Sequence, residues 1–181
     1  EMVLTLKNIL VGVMWSGPDR HEIYNEENFE PFEKNIDGWM INPVAIHDST
    51  DPKWFIINHH WSNNVAVHYY RHHWSYTLHT IYTLEHILRL QWFLKSYNIP
   101  YFMSAFTDEV FAAHRINAET QHLFDLIDFD NFLPVSSELS WCQQNIEQFT
   151  DKIQHDHPSS NMHSEFTQQV ILPFLQQKNL I

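Results

Sequence analysis

Residues 88–106, "LRLQWFLKSYNIPYFMSAF", decide how this chain folds. Their first half continues a stripe in which Trp74, Leu78, Ile81, Leu84, Leu88 and Trp92 recur at steps of three and four. That spacing marks one face of an α-helix and predicts a single long helix from about Val65 to Tyr97. Asn98 and Pro100 end it. The second half, "IPYFMSAF" (99–106), is an apolar run of strand length, with Thr107-Asp108 as its exit turn.

Toward the N-terminus, "TLKNILVGVMWSGPDR" (5–20) reads as a second buried strand. Its apolar run stops at Ser16, and Gly17-Pro18-Asp19 carries turn chemistry. A long helix between two apolar strands is a βαβ crossover, which favours a parallel sheet covered by helices. Residues 21–53, with the acid-rich "EIYNEENFEPFEKN", read as a surface excursion or lid, and "KWFIIN" (53–58) is too short to separate strand from helical turn. Shorter helices are expected at about 108–115, 118–128 and 137–150. A last helix runs from near Ser160 to about Gln177, buried along Phe166, Val170, Ile171, Phe174 and Leu175 and kinked by Pro173. With 181 residues and no repeat or linker, one α/β domain over 1–181 is expected.

Composition narrows the function. A formal charge of −12 repels phosphate backbones and anionic lipid, so neither nucleic acid nor a membrane is an expected partner. No apolar run approaches the roughly 18 residues of a membrane span, and "ILVGVMW" (9–15) lacks the flanks of a signal peptide. The single cysteine, Cys142, excludes an intrachain disulfide and a Cys-based zinc cluster. Only Gly12, Gly17 and Gly38 are available for tight turns, too few for a phosphate-cradling loop, and no cofactor is expected. Seven Trp and thirteen Phe suit a core of flat side chains or a groove for a ring-shaped ligand.

Fourteen histidines raise the question of a metal. His68 and His72 are four apart, and His72, His79 and His86 repeat every seven. A seven-residue line drifts about 20° per repeat along a straight helix, however, and no HEXXH motif is present. The favoured reading is a half-exposed face or caps on buried hydroxyls, with no metal.

Two stretches are better placed for chemistry. "WSGPDR" (15–20) stands where a parallel strand meets its turn, the edge at which α/β sheets bind ligands. Trp15, Ser16, Asp19 and Arg20 there offer a flat surface, a hydroxyl, a carboxylate and a cation. Equally, Asp19 and Arg20 could pair within a turn stiffened by Pro18. In "FTDE" (106–109), Asp108 reads as a helix N-cap rather than a ligand. In "HDHPSSNMHSEF" (155–166), Pro158 pushes His157 into an extended conformation, and Ser159 or Ser160 can cap the helix behind it. A histidine held there is positioned to face a pocket.

"WSGPDR", "LRLQWFLKSYNIPYFMSAF" and "DHPSSNMHSEFTQQVILPFL" together resemble the SGNH (GDSL-like) hydrolase superfamily, in particular its small marine microbial and phage members. The resemblance implies a three-layer α/β fold with a flavodoxin-like parallel sheet, incomplete at its N-terminal side. It also implies deacylation of small, carbohydrate or lipid esters by a Ser nucleophile, a His base with an Asp nearby, and a Gly/Asn oxyanion hole. The family's opening strand with the nucleophile, and its second, glycine-bearing block, have no counterpart in these residues. Asp19 falls at the Asn of the family's GxND and Arg20 at its Asp. Gln154 and His155 occupy the positions of the acid before the base, with Asp156 directly adjacent. Carried over residue by residue, His157 is the base and Asp156 the acid candidate. Ser16 is the nearby hydroxyl, and Trp15, Asp19 and Arg20 are substrate contacts. Two function classes follow. One is an esterase portion completed by an upstream segment or a second chain; the other is a non-catalytic component of a larger assembly such as a virion. The corresponding location is cytoplasmic or virion-associated.

Overall fold

Strand β1 (Val11–Trp15) and strand β4 (Tyr101–Ala105) pair in parallel, in register from Val11↔Tyr101 to Trp15↔Ala105. The computed structural model describes residues 9–17, 21–24, 54–57, 64–150, 153 and 157–181. Between these two strands in sequence come β2 (His21–Tyr24), β3 (Trp54–Ile57), and helices α1 (Asn64–His72) and α2 (Tyr76–Ser96). Beyond β4 come α3 (Gln121–Phe124), α4 (Glu138–Gln144), α5 (Ser160–Phe166) and α6 (Leu172–Gln177), with short 3-10 turns between them. The chain is thus mixed α/β with a parallel strand pair, as the two apolar runs predict.

The chain divides into two compact units, Glu1–Gly17 with Thr80–Ile181, and Pro18–His79. In the first, side chains alternate across β4 as the period of a strand requires. Tyr101, Met103 and Ala105 join Leu84, Ile87, Leu88 and Leu94 of α2 in one core. Phe102, from the opposite face, packs with Leu133, Phe166, Val170, Phe174 and Leu175 in another. Helix α2 therefore covers one face of β4, and the segment from α5 to α6 covers the other. Beyond β4 on the side away from β1, Phe132 forms an isolated parallel bridge with Met103, and the Leu133 N–H donates to Met103 O at 2.9 Å.

Strand β1 is not fully buried as its sequence suggests. Val11, Val13 and Trp15 pack on the first core, whereas Met14 is 45% exposed. Gly12 stands opposite Phe102, and a Cβ there would meet the ring at 2.6 Å, so only glycine admits this close approach.

The helix expected over Val65–Tyr97 is two helices. The His73 and Trp74 N–H groups both donate to Tyr69 O, ending α1, and the Ser75 Oγ accepts from the Leu78 N–H at 3.3 Å, opening α2. The stripe of the sequence is correspondingly displaced. Leu84 and Leu88 are buried, but Leu78 and Trp92 are 39% and 56% exposed. Successive steps of four advance about 40° past a full turn, so Trp92 has rotated off the face that Leu84 buries. At the C-terminus Asn98 takes the left-handed conformation (φ 51°), and the Ile99 N–H donates to Leu94 O, a Schellman closure.

In the second unit, β2 and β3 pair antiparallel from His21↔Ile57 to Tyr24↔Trp54. The start of the expected surface excursion is therefore a strand, and "KWFIIN" resolves as its partner; residues 25–53 lie outside the described residues. His79 stacks on Trp74 at 3.8 Å between centroids and shares a 3.1 Å hydrogen bond with the Tyr69 hydroxyl. The line His72, His79, His86 is broken because His72 belongs to α1 and the other two to α2. Among the described residues no group of three His, Cys, Asp or Glu side chains converges as metal ligands, and no helix is long and apolar enough to cross a membrane.

The last helix follows its sequence closely. Ser159 caps α5, and the turn Thr167–Ile171 is π-helical immediately before Leu172-Pro173. Proline removes a donor and crowds the preceding turn, which accounts for the widening there.

Candidate functional site

The carboxyl ends of β1 and β4 lie side by side, because the Phe106 N–H donates to Trp15 O at 2.8 Å just past the last paired residues. Parallel sheets present ligand-binding residues at this edge. Ser16, following β1, is exposed. Trp15 is held differently: its Nε1–H donates to Met103 Sδ at 3.5 Å, so the indole lies along β4 and packs on the first core.

Phe106, following β4, carries the ring of His157 stacked on it, with centroids 5.6 Å apart and planes 30° apart. His157 is exposed and Pro158 behind it is buried. Ser159 then accepts from the Met162 N–H at 3.3 Å, fixing the helix entrance. The His-Pro turn thus brings an imidazole to the strand edge that also bears Ser16. No hydrogen bond joins those two side chains among the described residues. Asp19, Arg20 and Asp156 lie outside the described residues.

Asp108 sits at the same edge. The capping position of its turn falls on Thr107, not on Asp108 as the sequence suggests. The Asp108 carboxylate instead accepts from the Ser140 hydroxyl at 2.6 Å. Partial burial opposes its ionisation, but hydrogen bonds from Ser137, Ser140 and Ser136 outweigh that and hold the carboxyl below its ordinary range. Next to it opens a cleft of about 370 Å³, walled by Ala105, Phe111, Phe129, Phe132, Leu133 and Val135, with Asp108 and Ser136 as its polar groups.

A second imidazole–carboxylate pair joins α4 to α5. His163 Nδ1 and Glu138 Oε1 are 2.5 Å apart, with the Glu138 side chain 3% exposed and that of His163 49% exposed. Nδ1–H donation to the carboxylate orients the ring and leaves Nε2 on its far side. Glu138 occupies the first turn of α4, where the helix dipole favours an acid, behind the N-cap Ser137. Its other oxygen, Oε2, is buried without a hydrogen-bond partner among the described residues. The neighbouring Cys142 thiol is pushed up to about 11, by burial first and by the Glu138 charge second.

Sequence reasoning missed Glu138, His163 and the aromatic cleft. His163 stands inside the same "HPSSNMHSEF" stretch as His157, but nothing local ties it to a glutamate 25 positions earlier. Three phenylalanines spread over residues 111–132 likewise carry no periodic signal. No protein-family model, curated protein or solved structure matches the chain.

Proposed function

We propose that this chain is the later part of an SGNH-like ester hydrolase, acting on a small or carbohydrate ester, with His157 as its general base. One observation carries the reading: a His-Pro turn at the mouth of the final helix sets an exposed imidazole against Phe106, at the carboxyl edge of a parallel strand pair. Helices on either face of β4, and the parallel bridge at Phe132, agree with a flavodoxin-like three-layer sheet of which β1 and β4 are two members. In such a site the base takes the proton of a serine hydroxyl as that oxygen attacks the ester carbonyl. It then returns a proton to the departing alkoxide, and water repeats the cycle on the acyl-enzyme. Ser16, exposed just past β1, is a hydroxyl on this strand edge. The family's own nucleophile block is instead to be supplied by an upstream segment or a second chain.

The test is hydrolysis of p-nitrophenyl acetate. The 181-residue chain alone is expected to stay at background, and a product extended upstream to carry a serine block is expected to turn over through an acyl-enzyme detectable by mass. Activity of the 181 residues alone refutes the need for that block. An inactive extended product favours a second reading, a non-catalytic component of a larger assembly. The aromatic outer face of α2 supports that alternative, since Tyr82, Trp92, Phe93 and Tyr97 are each 48–59% exposed.

A further inference from the structure

The cleft beside Asp108 has a composition that ester cleavage does not explain. Its floor is Ala105, the last residue of β4, with the buried Phe132 and Leu133. Its aromatic wall is a cluster: Phe111 lies 5.3 Å from both Phe129 and Phe132, at 70° and 78°, and Phe129 lies 5.4 Å from Phe132. The two edge-to-face contacts of Phe111 and the tilted contact between Phe129 and Phe132 (44°) fix the ring orientations without any ligand. Phe129 remains 40% exposed, so its ring is accessible to an occupant. The volume, about 370 Å³, falls in the range of small-molecule sites.

Among the described residues, one ionisable group lines this wall, and it is an acid. The Asp108 carboxylate takes the Ser140 hydroxyl at 2.6 Å and hydrogen bonds from Ser136 and Ser137. Hydroxyls orient a carboxylate and favour its charged form without neutralising it, and of its about four acceptor sites the three serines leave one for a ligand. Among the described residues, no lysine or arginine lines the cleft. An anion is therefore repelled there, and a neutral ring gains apolar burial alone. An organic cation gains that burial, a charge-assisted hydrogen bond and attraction to the aromatic faces.

We propose that this cleft binds a small organic ammonium ion with an apolar or aromatic body, its charge on Asp108 and its body among Phe111, Phe129 and Phe132. The site goes beyond the hydrolase reading and does not depend on it, since none of these groups has a part in ester cleavage.

Three ligands of one shape provide the probe: 2-phenylethylammonium, neutral 2-phenylethanol and anionic 3-phenylpropanoate, titrated calorimetrically into the 181-residue chain at about millimolar concentration. The ammonium is expected to bind saturably, the alcohol roughly tenfold or more weakly, and the carboxylate not at all. Asp108→Asn keeps an acceptor for Ser140 and is expected to reduce the ammonium to the level of the alcohol. Phe129→Ala, at an exposed position, should weaken ammonium and alcohol together. Equal binding of ammonium and alcohol to the unaltered chain overturns the proposal, as does absence of saturable ammonium binding. The ligand comparison needs no variant, so a misfolded substitution cannot mask the answer, and p-nitrophenyl acetate turnover is scored separately.

Discussion

Cys142 and Gly12 show how far single positions are fixed by their surroundings. Burial and the Glu138 charge raise the Cys142 thiol to about 11, so at neutral pH it is a protonated, inaccessible group. Ellman's reagent is expected to leave it untouched in the native protein and to react with one thiol after urea unfolding. Rapid native reaction would mean that α4 opens readily. At Gly12 the obstacle is the Phe102 ring, 2.6 Å from the missing Cβ. Gly12→Ala should lower stability by about 1–3 kcal/mol, read as a shift in urea midpoint, because the ring must leave its place in the second core. Neither effect is legible in the sequence. Gly12 reads there as one residue of an apolar strand, and Cys142 as a compositional fact about disulfides.

Among the elements, those set by local chemistry could be read and those set by distant partners could not. Strand β4, its parallel pairing with β1, the Asn98 stop and the Ser159 cap all follow from short apolar runs and cap residues. The break between α1 and α2 was hidden because the apolar spacing continues through His73-Trp74-Ser75, and Ser75 is an ordinary polar residue until its cap is seen. Gln91 was invisible for the opposite reason: it lies on a buried face where a hydrophobe is expected. It is 1% exposed, donates to Asp128 O at 2.9 Å and accepts from the Asp128 N–H at 3.0 Å, stapling α2 to the loop before Phe129. Gln91→Ala leaves both backbone groups unmatched, and a loss of about 1–3 kcal/mol in chemical denaturation is expected. A neutral result would show that water replaces the side chain.

For the whole molecule, acid stability has identifiable sources. Burial disfavours ionised Asp128, but the Lys95 hydrogen bond and that of Asn131 outweigh it and lower the carboxyl below its ordinary value. Asp108 is lowered by its serine partners in the same net direction. Folded values below the unfolded value of about 3.9 mean that both contribute stability above that pH. The contribution is lost as pH falls through the folded values. Urea midpoints should therefore drop steeply below about pH 4, and Asp128→Asn should flatten that limb. Because Lys95 is 48% exposed, the cost of that substitution at pH 7 stays within about 1 kcal/mol. The base of the proposed hydrolase can be isolated at the same scale, since two imidazoles stand at the start of the last helical segment, His157 on Phe106 and His163 on Glu138. The decisive measurement is the rate of p-nitrophenyl acetate hydrolysis by the upstream-extended protein carrying His157→Ala or His163→Ala. Assignment of His157 as base predicts a loss of about 10²–10⁴-fold in kcat for the first and near-parental turnover for the second. Full activity of His157→Ala, or its loss only in His163→Ala, would contradict it.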